Sequence, residues 1–193
     1  MRTFFCIPLT KATQAGVHTV AEVLRRHTHM RASWVSQQNY HVTLRFLGDI
    51  DPMLTVDLRA LADDVADTVS PFECVLDRVG TFPQPERARV LWIGGDAPDG
   101  FGRLADELSR GLGELGFGRV RRESVVHVTI ARVKGRPDPA LADVIGRTNP
   151  SAPLRMTADR LVLMESLLTP QGAVYTPLFT CRLGGREAPD GAD

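Results

Sequence analysis

The chain has 193 residues, 43% of them hydrophobic, and its 23 basic residues balance 23 acidic ones. This length and composition suit a globular protein, either one sizeable domain or two small lobes sharing a core. The balanced charge provides no overall field to draw in long nucleic acid or an anionic membrane, and no apolar run approaches the ~20 residues that cross a bilayer. A cytoplasmic protein is therefore expected, with any anion site local. The three cysteines, Cys6, Cys74 and Cys181, are scattered and odd in number, which argues for reduced, buried thiols over a disulfide framework or a zinc motif. All basic residues except Lys11 and Lys134 are arginine. That suits planar phosphate recognition, although a GC-rich genome accounts for most of the bias.

In chain order, Thr3 to Pro8 reads as a strand, and Val17, Val20, Val23 and Leu24 then mark a helix by their three- and four-residue spacing. Trp34 and Val35 open a short extended piece, and His41 to Leu47 alternates as a strand. Asp51-Pro52 starts a second helix carrying Leu54, Leu58, Leu61 and Val65, which Ser70-Pro71 ends. The segments FECVLDRVGTF and RVLWIGG read as two strands joined by the loop Pro83 to Arg87, and a third helix spans roughly Gly100 to Leu115. A strand around His127 follows, then a short helix near Leu141 to Ile145. Met156 to Leu167 and Val174 to Leu183 form a hairpin through Thr169 to Gly172. The order predicts an α+β protein with mainly antiparallel sheets and two comparable lobes, a single domain over 1–183, and a frayed tail over 184–193 that lacks apolar anchors.

The chemistry-bearing feature is a repetition. HVTLRFLG, from His41, returns as HVTIARVKG, from His127, once in each half of the chain. Alternation on a strand turns His41 and Thr43 to one face and Val42 and Leu44 to the other, and the second copy repeats the arrangement with His127, Thr129, Val128 and Ile130. If two lobes face each other by approximate two-fold symmetry, a site forms from two copies of one half-site. Imidazoles titrating near ~6.5 provide one neutral base and one protonated acid near neutral pH, the division that phosphodiester hydrolysis requires. Thr43 and Thr129 would hold the non-bridging oxygens, and Arg132 would add a bidentate contact. Strict alternation turns Arg132 away from Thr129, so a twist or bulge must bring it round. By the same alternation Arg45 shares the face of His41 and is a second candidate for substrate contact.

The pair HVTL and HVTI resembles the two H-x-[ST]-hydrophobic motifs of the 2H phosphoesterases. SWVSQQNYHVTLRFLGDI, PFECVLDRVGTFP, RVLWIGG, HVTIARV and DRLVLMESLLTPQGAVYTPL are similar, in order, to segments of the bacterial and archaeal RNA 2′,3′-cyclic phosphodiesterases, once called 2′-5′ RNA ligases. The resemblance runs from about Arg2 to Leu183. It implies a bilobal duplicated fold, two mainly antiparallel sheets flanking a central cleft with helices outside. It also implies a site without metal or cofactor, acting on RNA or oligonucleotides that end in a 2′,3′-cyclic phosphate and opening the ring to a 2′-phosphate. On the same ground His41 is the expected proton donor and His127 the acceptor, Thr43 and Thr129 hold phosphate, Arg132 follows the second motif, and Phe46 is placed to stack on the terminal base. Ser124-Val125-Val126 departs from the proline- or aromatic-bearing lead-in expected before the second histidine.

Other readings compete. The same residues would serve a 2′-5′ ligase running the chemistry backwards, while a binding module without turnover would not need an acid-base pair. A zinc site wants three or four ligands, and neither motif has a second one at ligand spacing. His18, His27 and His29 read as surface residues. GLGELG, from Gly111 to Gly116, closes a helix and so reads as turn glycines instead of a dinucleotide loop. Trp34, Phe82 and Trp92 read as core, Tyr175 as ambiguous, and Arg119, Arg121 and Arg122 as a solvated edge. A monomer is expected, with no obligate protein partner.

Overall fold

A computed structural model describes residues 1–118, 125–170 and 172–184. Arg119, Arg121, Arg122, Ser124, Gln171 and the tail beyond Gly184 lie outside the described residues. Strands and helices alternate as β1 (Arg2–Pro8), α1 (Lys11–His27), β2 (Ala32–Trp34), β3 (His41–Asp49), α2 (Thr55–Thr68), β4 (Phe72–Leu76), β5 (Arg78–Phe82), β6 (Val90–Asp96), α3 (Asp99–Glu114), β7 (Val125–Val133), α4 (Leu141–Arg147), β8 (Leu154–Ala158), β9 (Arg160–Thr169) and β10 (Gly172–Arg182). Local chemistry marks the starts. The Thr10 hydroxyl accepts from the Thr13 amide to cap α1, and the Asp51 carboxylate accepts from the Met53 amide to open a 3-10 turn that leads into α2.

The strands form an eight-stranded antiparallel sheet in the order β10-β9-β1-β3-β7-β6-β5, with β2 added beside β7, and a separate β4-β8 pair. The expected α+β fold with two sheets flanking a cleft takes this form: the group β10-β9-β1-β3 and the group β2, β7, β6, β5 touch at a single pair, Val42 with Val128. Two segments read as continuous strands are each divided between sheets. FECVLDRVGTF breaks at Asp77, whose amide donates to the Gly94 carbonyl, and the Met156 segment breaks at Asp159, whose carbonyl accepts from Leu183. Each break lets β4 and β8 leave the large sheet and pair with each other, from Phe72 with Ala158 to Leu76 with Leu154.

Alternation assigns the faces. Phe5 and Ile7 of β1 join one large core with Leu58 of α2, Leu108 of α3 and Leu163 of β9. Phe4 and Cys6, on the opposite face, join a small cluster with Val162, Met164 and Tyr175. Fully burying side chains of this size contributes about 1.5–3 kcal/mol each, so this alternation holds the strand register firmly. Cys6, Cys74 and Cys181 are buried free thiols, as expected. Gly111 is not a turn residue: it lies inside α3, where an added Cβ would come within 2.1 Å of Leu61 in α2, so it allows two helices to approach. Gly116, with φ +85°, makes the turn. Among the described residues, no helix is long and apolar enough to cross a membrane.

Candidate active site

Each His-Val-Thr strand carries a bulge immediately after its motif. In β3, Cys6 of β1 faces Thr43 but Phe5 faces Arg45, so Leu44 is the extra residue. In β7, Trp92 of β6 faces Thr129 but Leu91 faces Ala131, so Ile130 is the extra residue. A bulge reverses the alternation beyond it. Ile130 and Ala131 are accordingly both fully buried, and Arg132 emerges on the face of Thr129, the rearrangement that strict alternation denied. The same device in β3 changes the face expected for Arg45, though not its place at the cavity between β3 and β7. Arg45 shares the side of Phe5, half-buried, and donates to the Gly118 carbonyl, while Phe46 takes the His41 face opposite Phe4. Phe46 and Arg132 therefore occupy equivalent places, five residues beyond their histidines and each past a bulge.

The two motifs meet through Val42 and Val128, both buried. His41 and Thr43 flank Val42, and His127 and Thr129 flank Val128, so this one pair brings the two half-sites side by side across the seam. The rings are anchored alike. Nδ1 of His41 lies 2.8 Å from the Asn39 carbonyl and Nδ1 of His127 lies 3.4 Å from the Val125 carbonyl, each two residues back in the chain. A carbonyl only accepts, so Nδ1 of His41 carries the proton, and its Nε2 accepts from the Thr43 hydroxyl at 3.1 Å. Aromatic rings pack against both imidazoles: Phe4 stacks on His41 at 4.7 Å with Tyr175 edge-on at 5.3 Å, and Phe82 meets His127 edge-on at 5.0 Å with Trp92 at 6.2 Å. Burial pushes the His41 pKa down to about 4, assisted by the positive charge of Arg132 and by His127, while the Asn39 carbonyl opposes the shift.

A cavity of about 410 Å³ opens where β3 and β7 separate beyond their shared pair. Its wall includes Thr43, Arg45 and Phe46 from β3, His127, Thr129 and Arg132 from β7, and Phe82. Every residue singled out in the motifs, except His41, thus lines one cavity, and His41 borders it through its bond to Thr43. α3 supplies a further wall, Phe101, Ala105, Asp106 and Ser109, which sequence reasoning missed. Its four-residue stripe was visible as a helix face but not as a ligand surface. Phe82 was read as core and instead lines the cavity, while Trp92 is buried as expected. His18 is half-buried beside Tyr40, not a surface residue, whereas His27 and His29 are exposed. Among the described residues no group of three or more His, Cys, Asp or Glu side chains could hold a metal ion.

A family model described as the 2′-5′ RNA ligase superfamily matches residues 13–169. The chain is 32% identical over 187 residues to a Methanothermobacter thermautotrophicus protein named RNA 2′,3′-cyclic phosphodiesterase, covering 95% of this chain and 99% of the relative. A Thermotoga maritima protein of the same name is 30% identical over 188 residues, covering 96% and 97%. Among solved structures, TT0787 of Thermus thermophilus superposes with a TM-score of 0.80 at 28% identity over 97% of this chain and all of that one. E. coli LigT complexed with 3′-AMP shares the fold at a TM-score of 0.75 and 24% identity, over 94% and 97% of the two chains. Matched along most of its length by family model and relatives alike, the chain belongs to the 2′-5′ RNA ligase superfamily, the 2H phosphoesterases.

Proposed function

We propose that the protein hydrolyses the 2′,3′-cyclic phosphate at an RNA end to a 2′-phosphate, by metal-free proton transfer between His41 and His127. The observation that carries this reading is the juxtaposition of two equivalent imidazoles and two hydroxyls, with Arg132 turned to the same face by the bulge at Ile130. The names of the relatives point to the same reaction class. One histidine takes a proton from the water that attacks phosphorus, and the other gives a proton to the departing ribose O3′ as its bond to phosphorus breaks. Nδ1 of each ring is turned to a carbonyl, so the transfer falls to Nε2. The hydroxyls of Thr43 and Thr129 donate to the non-bridging oxygens, and Arg132 neutralises the charge that builds there. Phe46, 47% exposed on this face, offers its ring to the terminal base.

In the ligand-free protein His41 is neutral and its Nε2 accepts from Thr43. Its role as acid accompanies substrate binding. A phosphate anion offsets the positive charge of Arg132, raises the His41 pKa, and turns Nε2 into a donor, which frees the Thr43 hydroxyl to rotate toward phosphate.

The test is incubation of chelator-treated protein with an oligoribonucleotide ending in a 2′,3′-cyclic phosphate, with the product compared against 2′- and 3′-phosphate standards. The expected product is the 2′-phosphate, with turnover reduced at least ~100-fold in His41→Ala and in His127→Ala. Exclusive 3′-phosphate would overturn the regiochemistry, and wild-type rates in either variant would overturn the mechanism.

A further inference from the structure

The face of the β10-β9-β1-β3 sheet that bears His41 has a buried centre, Phe4 and Cys6, rimmed by exposed side chains that include Phe46 and Arg2. Alternation along β1 sets Arg2 on the same side as Phe4 and Cys6. Phe4 pairs with Met164 of β9, so Arg2 falls opposite Ser166, and Ser166 pairs with Tyr175 of β10. Arg2, Ser166 and Tyr175 thus form one cross-strand row. The next row toward the histidines is Phe46, Phe4 and Met164, and the one beyond it holds Thr43 opposite Cys6. Phe4 links the rows physically, with its ring 5.3 Å from Phe46, 5.1 Å from Tyr175 and 4.7 Å from His41.

Arg2 is exposed and, among the described residues, has no hydrogen-bond or ion-pair partner. Asp49, its direct neighbour across β1 and β3, does not pair with it. Tyr175 lies close enough to both Arg2 and Arg132 to feel their charges. Arg2 lies four residues along β1 from the strand position facing Thr43, about 13 Å at strand rise. The face therefore presents a phosphate position at the seam, exposed aromatic surface next to it, and a second cation further out. This is the pattern of a single-strand track, in which bases stack on rings and cations follow the backbone.

We propose that this sheet face is the binding track for the RNA strand 5′ of the reacting terminus, with Arg2 holding the first upstream phosphate. The proposal rests on the hydrolase reading and extends it: the substrate is an oligonucleotide end in preference to a cyclic mononucleotide. Continuity with the catalytic seam and the order of charge, aromatic ring and charge select this occupant. A peptide would leave the link between this face and the phosphate position at the seam unused.

The experiment compares kcat/KM for a short oligoribonucleotide ending in a 2′,3′-cyclic phosphate with that for the matching cyclic mononucleotide. The oligonucleotide is expected to be the better substrate, and Arg2→Ala is expected to lower the ratio about tenfold. Arg2→Lys should restore part of the ratio, and Arg2→Ala should reduce the salt slope for the oligonucleotide by about one. A ratio in Arg2→Ala within twofold of wild type, with folding verified by circular dichroism, overturns the track. If the wild-type protein turns over neither substrate, the hydrolase reading fails separately. The track is then read from fluorescence anisotropy with an oligonucleotide ending in a 2′-phosphate: weaker binding by Arg2→Ala supports it and equal binding overturns it.

Discussion

His41 shows how much of a residue's chemistry comes from its contacts. The imidazole and the neighbouring Thr43 were legible as a motif, but the depressed pKa arises from burial against Phe4, with the charges of Arg132 and His127 adding to it and the Asn39 carbonyl that orients the ring opposing it. NMR of the ligand-free protein should show His41 titrating near pH 4, and the midpoint should rise when phosphate is added. A midpoint near 6.5 in the free protein would contradict this environment. The sign for stability follows from linkage. Between about pH 4 and 6.5 the unfolded chain holds a proton on this histidine that the folded chain does not, so stability rises with pH through that window. Below it, folding must bury a charged ring. His41→Asn should flatten this part of the pH profile of Tm, and an unchanged slope would assign the acid sensitivity to other groups.

At the scale of elements, helices and most strands were readable because their periods are local. The bulges at Leu44 and Ile130 were not, since a bulge is defined by the partner strand's register and not by its own residues. This is why alternation misassigned the face of Arg45 and left Arg132 facing away. The register around His127 depends on Gly94 directly opposite, where an added Cβ would come within 2.3 Å of the Val126 carbonyl oxygen and 3.1 Å of the His127 Cα. Gly94→Ala should therefore cost about 2 kcal/mol or more in urea unfolding and lower kcat by displacing His127. Gly113→Ala, where an added Cβ meets nothing within 4 Å on α3, should be neutral or stabilising by up to about 1 kcal/mol. Equal effects from the two would show that crowding at Gly94 is not what holds β6 and β7 together.

For the whole molecule, the two halves share a seam and also a core. Phe5 of β1, Ile93 of β6, Leu108 of α3, Met156 of β8 and Leu163 of β9 belong to one continuous buried cluster. One continuous core predicts one cooperative transition. Unfolding in urea followed by tryptophan fluorescence, which reports Trp34 and Trp92 beside β7, should coincide with unfolding followed by far-ultraviolet circular dichroism. Two separated transitions would mean that the lobes fold independently.

What the sequence determined by itself was whatever depends on near neighbours along the chain: helix periods, strand alternation, caps, and the duplicated His-Val-Thr signature in each half. What only the tertiary structure decided depends on which strand lies beside which. That includes the reversal of facing past each bulge, the division of two apparent strands at Asp77 and Asp159, the rings around each imidazole, and the row that brings Arg2 onto the face of His41. The physical reason is that a strand's hydrogen bonds and half its packing come from residues distant in sequence, so the direction of its side chains is settled only when the partner arrives.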